Sequence, residues 1–158
     1  MAAISRRVRP AGDTALQRCT PAPVDPSRPE VRRILVVDDE RVSRFTTQSV
    51  LEKLGFDVVT LDDGRGAAEA EATGRFAAVI MDCQMPFVDG FEATAAIRRH
   101  QRETGGRRTP IIGLSARAMA GDDEVALSKG MDVYVHKPVS IRKLKAALEQ
   151  VRVETGAG

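Results

Sequence analysis

The sequence predicts an α/β fold, a doubly wound sheet of five parallel strands with helices between them. Three observations predict it. Short unbroken apolar runs recur, among them Ile34 to Val37, Ala77 to Met81, Ile111 to Leu114 and Val133 to Val135. Runs of that length without polar alternation read as strands buried on both faces. Between them lie segments with helical spacing, and strands alternating with helices imply right-handed crossovers and a parallel sheet. Finally, Asp38 and Asp39, Asp82, Ser115 and Lys137 each stand at the end of such a run. The carboxyl ends of the strands in an open α/β sheet converge on one crevice. Three carboxylates, a hydroxyl and an ammonium gathered there can hold a divalent cation and a phosphoryl group.

The elements follow in order. Strand one is expected at 33–38. Helix one covers 40–54, with Val42, Phe45, Val50 and Leu54 broadly on one side and Gly55 as its stop. Strand two runs from Phe56 to Leu61, and a second helix rich in Ala and Glu covers 64–73, with Gly74 ending it. Strand three is Phe76 to Asp82. Helix three extends from Gly90 to about residue 102, before the Gly105-Gly106 breaker. Pro110 opens strand four, which reaches Ser115, and helix four spans 118–129, with Gly130 in the left-handed position past its end. Strand five is Asp132 to His136. Ser140 caps the last helix, where Ile141, Leu144, Leu148 and Val151 recur at helical spacing.

A chain of 158 residues with 42% hydrophobic residues is sized for one domain with one core. The net charge of +2 sits in residues 1–30, where five arginines outnumber three acids, so the body is neutral and has no dense basic face for nucleic acid. Five of the eight prolines also fall in residues 1–30, which reads as an extended, unfolded arm without the apolar core of a secretory signal. No stretch approaches the roughly twenty apolar residues of a membrane span. Cys19 and Cys83 form no disulfide framework and have no partner at zinc-ligand spacing, which suits a reduced, cytoplasmic chain. Residues 31–153 are thus expected to fold as one domain and 154–158 to fray.

Four motifs occur in a fixed order: Ile34 to Glu40 with its paired acids, Val79 to Thr94 around Asp82, Leu114-Ser115-Ala116, and Tyr134-Val135-His136-Lys137-Pro138. Together they resemble the receiver domain of two-component response regulators, across about 31–152. The segment around Asp82 is similar to receivers attached to, or working with, hybrid histidine kinases. The resemblance implies a flavodoxin-like (βα)5 sheet in the order 2-1-3-4-5. It implies Asp82 as phosphoacceptor, a carboxylate being a feasible nucleophile toward phosphorus. Asp38 and Asp39 match the acidic pair for Mg²⁺, with Asp39 and Asp82 as direct ligands, Asp38 acting largely through water, and the Gln84 backbone carbonyl adding an oxygen. Lys137 would bridge Asp82 and the phosphoryl group, with a cis bond to Pro138 aiming it, and Ser115 would bond a phosphoryl oxygen. Tyr134 matches the aromatic residue coupled to that hydroxyl, so that phosphorylation shifts the surface of helix four, strand five and helix five. Gln84 and Arg117 lie near the expected path of attacking water and would tune phosphate lifetime.

The implied donor is a phosphohistidine on a histidine kinase or a histidine phosphotransfer protein. The output is an unidentified target protein, with no direct nucleic-acid binding, no membrane insertion, and a monomer or weak dimer. The chain would catalyse only its own phosphorylation and slow dephosphorylation. A receiver-like interaction module without a phosphate cycle is the alternative, although degenerate receivers lose an acidic or lysine position and none is lost here. A dehalogenase-like phosphatase needs Asp-x-Asp, where this chain reads Asp82-Cys83-Gln84, and a flavin carrier needs a hydroxyl-rich loop in place of Asp38-Asp39-Glu40. His100 and His136 lack the acidic neighbour of phosphotransfer histidines and read as solvated or structural. Cys83, Met81 and Met85 read as packing residues.

Overall fold

The computed structural model describes residues 32–73, 75–116 and 121–153. The expected arm at 1–30 with Cys19, the Gly74 stop, Arg117, the first turn expected of helix four and the tail at 154–158 lie outside the described residues. Five strands, β1 (Arg33–Val37), β2 (Asp57–Leu61), β3 (Ala78–Asp82), β4 (Ile111–Ser115) and β5 (Val133–His136), form one sheet in the order β2-β1-β3-β4-β5. Every neighbouring pair is parallel. Five α-helices connect or follow them: α1 (Arg41–Lys53), α2 (Ala67–Thr73), α3 (Gly90–Thr104), α4 (Asp122–Ser128) and α5 (Ile141–Gln150).

The central strands are buried on both faces because alternate side chains feed two separate cores. Ile34, Val36, Ile80, Ile112 and Leu114 pack with Leu51 and Leu54 near α1 and with Leu144 and Leu148 of α5. Leu35, Val37, Val79, Met81 and Ile111 pack with Ala67, Ala93, Ile97 and Ala126 of the other three helices. Burying each Leu or Ile of these strands contributes about 1.5–3 kcal/mol, so the continuous apolar runs fix the sheet from both sides.

Element boundaries follow local chemistry. The Asp89 carboxylate accepts from Glu92 N–H at 2.8 Å and caps α3, and Gly105 at φ +65° ends it. The Ser140 hydroxyl accepts from Lys143 N–H and caps α5. Gly130, at φ +104°, takes the left-handed conformation expected past α4. The segment read as one helix over 64–73 divides: Gly64–Gly66 form a 3-10 turn capped by Asp63, and α2 begins at Ala67.

The apolar face expected of α1 is corrected by the structure. Val42 and Phe45 are 71% and 69% exposed, while Thr47, Leu51 and Leu54 are buried. At 100° per residue, Val42 and Phe45 lie away from the Leu51 side, so the first half of α1 carries apolar side chains outward. Ile141 of α5 is likewise exposed.

Candidate functional site

The paired register of β1 and β3 carries the chain to the same edge of the sheet twice. Val37 lies beside Met81, which sets Asp38 and Asp39 next to Asp82. Carboxylate oxygens of Asp38, Asp39 and Asp82 all lie within 4.8 Å of one another, the first and last buried and Asp39 exposed to solvent. Lys137, one residue past β5, reaches across β4. Its Nζ lies 3.2 Å from Asp38 Oδ2 and 3.5 Å from Asp82 Oδ2. Its backbone N–H donates to the Ser115 carbonyl at 2.7 Å, and its bond to Pro138 is cis, as the resemblance implied. Ser115 closes β4 beside them and is buried. Gln84 N–H donates to Asp82 Oδ1 at 3.1 Å. The expected set is therefore brought together at one edge.

The electrostatics are unbalanced. Three carboxylates face one ammonium. Burial pushes the Asp82 carboxyl up to about 7; the Gln84 N–H resists that rise, the charge on Asp38 adds to it and Lys137 opposes it. Burial works against the Lys137 ammonium, but Asp82 and Asp38 outweigh it and hold its pKa above the ordinary lysine value. A site with this excess of negative charge in a poorly solvated crevice attracts a cation.

Tyr134 lies on β5 opposite Gly113 of β4, half-buried, with its ring edge-on to His136 at 5.0 Å. Burial raises its hydroxyl pKa, against a hydrogen bond with Ser115. A cavity of about 140 Å³ lies between Ser115, Tyr134, Cys83, Phe91 and Val125. His136, expected to lack an acidic neighbour, has Asp123 Oδ1 at 3.7 Å from Nε2, a contact made only in three dimensions. Burial pushes the Cys83 thiol up to about 12, and its Sγ lies 3.9 Å from Met131 Sδ, so it is a protonated packing group.

Three residues at the site carried no decisive sign in the sequence. Ser43 Oγ donates to Asp38 Oδ2 at 2.6 Å from the first turn of α1. A Cβ on Gly90 would collide with the backbone of Asp82 and Cys83, so only glycine lets α3 start against the end of β3. A Cβ on Gly113 would meet Met131 Sδ at 2.5 Å and Cys83 Sγ at 3.2 Å, so this glycine makes room for side chains beside Tyr134. The Asp89-Gly90 step signals a helix start, but a lone Ser or Gly does not announce which backbone it will meet.

Comparison with known proteins places this geometry. Residues 34–149 match the response regulator receiver domain family, and the chain belongs to that family. It is 42% identical over 112 residues to the sensor histidine kinase GacS of Pseudomonas protegens, covering 71% of this chain and 12% of that protein. It is 35% identical over 119 residues to hybrid signal transduction histidine kinase A of Dictyostelium discoideum, covering 74% of this chain and 6% of that one. The chain thus spans only a small part of these curated relatives. Among solved structures, the receiver domain of the Pseudomonas aeruginosa sensor histidine kinase PA1611, with magnesium coordinated in its active site cleft, superposes with a TM-score of 0.67. It is 35% identical, covering 77% of this chain and 98% of that one. The Saccharomyces cerevisiae receiver domain of Ssk1, crystallised with the phosphotransfer protein Ypd1, gives a TM-score of 0.70 at 25% identity, covering 78% of this chain and 90% of that chain. Among the described residues no helix is long and apolar enough to cross a membrane.

Proposed function

We propose that this chain is a phosphoacceptor switch of a two-component system or phosphorelay, in which Asp82 takes a phosphoryl group from a phosphohistidine on a histidine kinase or phosphotransfer protein. The observation that carries the reading is the gathering of Asp38, Asp39 and Asp82, with the Lys137 ammonium on Asp38 and Asp82. All three acids offer hard oxygen donors and Asp39 stays open to solvent, a set that fits Mg²⁺, which keeps several waters. Asp39, Asp82 and the Gln84 carbonyl would hold the cation, with Asp38 acting largely through water. Bound there, it would offset the mutual repulsion of the carboxylates and the charge of the incoming phosphoryl group.

In the transfer, an Asp82 carboxylate oxygen forms a P–O bond as the donor P–N bond breaks. The electron pair of that bond stays on the imidazole nitrogen. Lys137 and Ser115 meet the equatorial phosphoryl oxygens, and the shift of Ser115 toward them lets Tyr134 turn into the adjacent cavity. That movement alters the surface of α4, β5 and α5. The chemistry serves the chain's own state and turns over no external metabolite. A cytoplasmic setting suits a free buried thiol at Cys83.

The exposed Val42 and Phe45 support a docking role for the first turn of α1, which directly follows the acidic pair. Phe87, in the loop after β3, is a second exposed apolar side chain, 83% exposed at φ +70°, with the Arg65 guanidinium 5.2 Å from its ring. A helix bearing the phosphohistidine is the partner this surface fits.

The test is incubation with acetyl phosphate and Mg²⁺, read by intact mass, beside Asp82→Asn. One phosphoryl adduct that requires Mg²⁺ and is absent from the variant is expected. An adduct that survives in Asp82→Asn sinks the assignment. Failure of acetyl phosphate and of a phosphorylated phosphotransfer protein alike, in folded protein, moves the function to a phosphate-independent interaction module.

A further inference from the structure

Lys137 serves two carboxylates at once, and the phosphoryl group on Asp82 needs it for itself. With its ammonium 3.2 Å from Asp38 Oδ2, a movement of the lysine toward phosphoryl oxygens beyond Asp82 lengthens that contact. Asp38 has no solvent exposure. A buried carboxylate that loses its cation and finds no other donor is strongly destabilised.

The first turn of α1 meets this need. Ser43 Oγ donates to the same oxygen that Lys137 contacts, Asp38 Oδ2, at 2.6 Å. Glu40 N–H donates to Asp38 Oδ1 at 2.9 Å. The backbone is held as well, with the Arg44 guanidinium donating to the Asp38 carbonyl at 2.8 Å and Asp38 N–H donating to Leu61 O at 3.1 Å. When the ammonium leaves, each carboxylate oxygen therefore keeps one donor and the carboxylate keeps its place. A neutral hydroxyl suits this role because it satisfies a lone pair without cancelling the negative charge that draws a cation to the site.

We propose that Ser43 is a positioning residue that frees Lys137, its hydroxyl holding Asp38 while the ammonium moves from Asp38 to the phosphoryl group. The inference rests on the reading of Asp82 as phosphoacceptor. In this arrangement Ser43 and Lys137 back each other up on one oxygen. Removing both costs more than the separate removals together.

The first test needs neither metal nor phosphate. Folding equilibria of the full chain in chelator are measured for wild type, Ser43→Ala, Lys137→Met and the double variant. Ser43→Ala is expected to lower the folding constant at least about tenfold more in the Lys137→Met background than in wild type, and Ser43→Thr to restore most of that loss. Additive effects overturn the proposal. The second test needs only the two Ser43 variants folded. At saturating Mg²⁺, the maximal rate of labelling by acetyl phosphate is expected to fall at least about tenfold in Ser43→Ala and to stay within about threefold of wild type in Ser43→Thr. Equal rates for Ser43→Ala and wild type also overturn it. A wild-type chain that takes no phosphoryl group defeats the reading of Asp82, whereas an additive cycle defeats the role of Ser43 alone.

Discussion

The two ends of the sheet hold buried charge in opposite ways. At the amino end, Arg98 of α3 donates to Gly130 O, Gln101 Oε1, Thr109 O and Asp132 Oδ2 at 2.7–3.0 Å. Arg108 also pairs with Asp132, and Gln101 and Thr109 both donate to Glu71. Two cations face two carboxylates, and the Arg98 guanidinium uses four of its five N–H donors. At the carboxyl end, three carboxylates cluster and two of them, Asp38 and Asp82, share one lysine. The first cluster is complete and ties α2, α3 and the starts of β4 and β5 together. In the proposed function the second is completed by a cation and a phosphoryl group. A balanced buried network stabilises one structure, while an unbalanced one keeps a place for a ligand and its energy for a change of state.

The largest expected effect breaks the balanced end. Arg98→Met leaves Asp132 with only the more exposed Arg108 as cation and removes the donor on the Thr109 and Gly130 carbonyls. It is expected to lower the unfolding free energy by about 3–5 kcal/mol, read by denaturant titration. A loss below about 1 kcal/mol would mean that the network does not tie these elements together.

A smaller effect of opposite sign belongs to the other end. The Asp82 pKa of about 7 in the fold lies above the ordinary 3.8. The folded state therefore holds a proton that the unfolded chain has released between those values, and metal-free stability should fall as pH rises from about 4 through about 7. Asp82→Asn should flatten that segment and exceed wild type at about pH 8 by on the order of 1 kcal/mol. Parallel wild-type and variant curves from denaturation in chelator would remove the strain assigned to this end.

The smallest stability effect is expected at the rim. Phe45→Ser removes an exposed ring and should change stability by no more than about 0.5 kcal/mol. It should nonetheless slow phosphoryl transfer from a phosphotransfer protein severalfold, read by radiolabel transfer. Unchanged transfer would leave the outward face of α1 without a docking role.

What could be read from the chain alone follows from period and position. Runs such as Ile34–Val37 and Ile111–Leu114 admit little but buried parallel strands, and a strand-end residue can only lie at the carboxyl edge. Asp38, Asp39, Asp82, Ser115 and Lys137 were therefore legible in the order of residues. The outward turn of Val42 and Phe45 was not, because the apolar residues of this segment spread around half the helix, Phe45 standing about 180° from Leu54, and packing against β1 and α5 decided which side turned in. The 3-10 turn at Gly64–Gly66 escaped for a related reason, since two glycines weaken the helix that Ala and Glu residues favour.

Which partners those residues would find was decided by the tertiary structure. Ser43 is an ordinary helix serine until the turn from β1 into α1 brings Asp38 Oδ2, five residues back, to its hydroxyl. Asp132, Arg98 and Glu71 lie far apart in sequence and become one network only when α2, α3 and the segments leading into β4 and β5 meet at the amino edge. The sequence by itself determined the strands, their common edge and the chemistry placed there, because periodicity and run ends are local properties. The tertiary structure decided which charges were matched and which were left to wait, because hydrogen bonds and Coulomb interactions depend on distances that close only when the sheet forms.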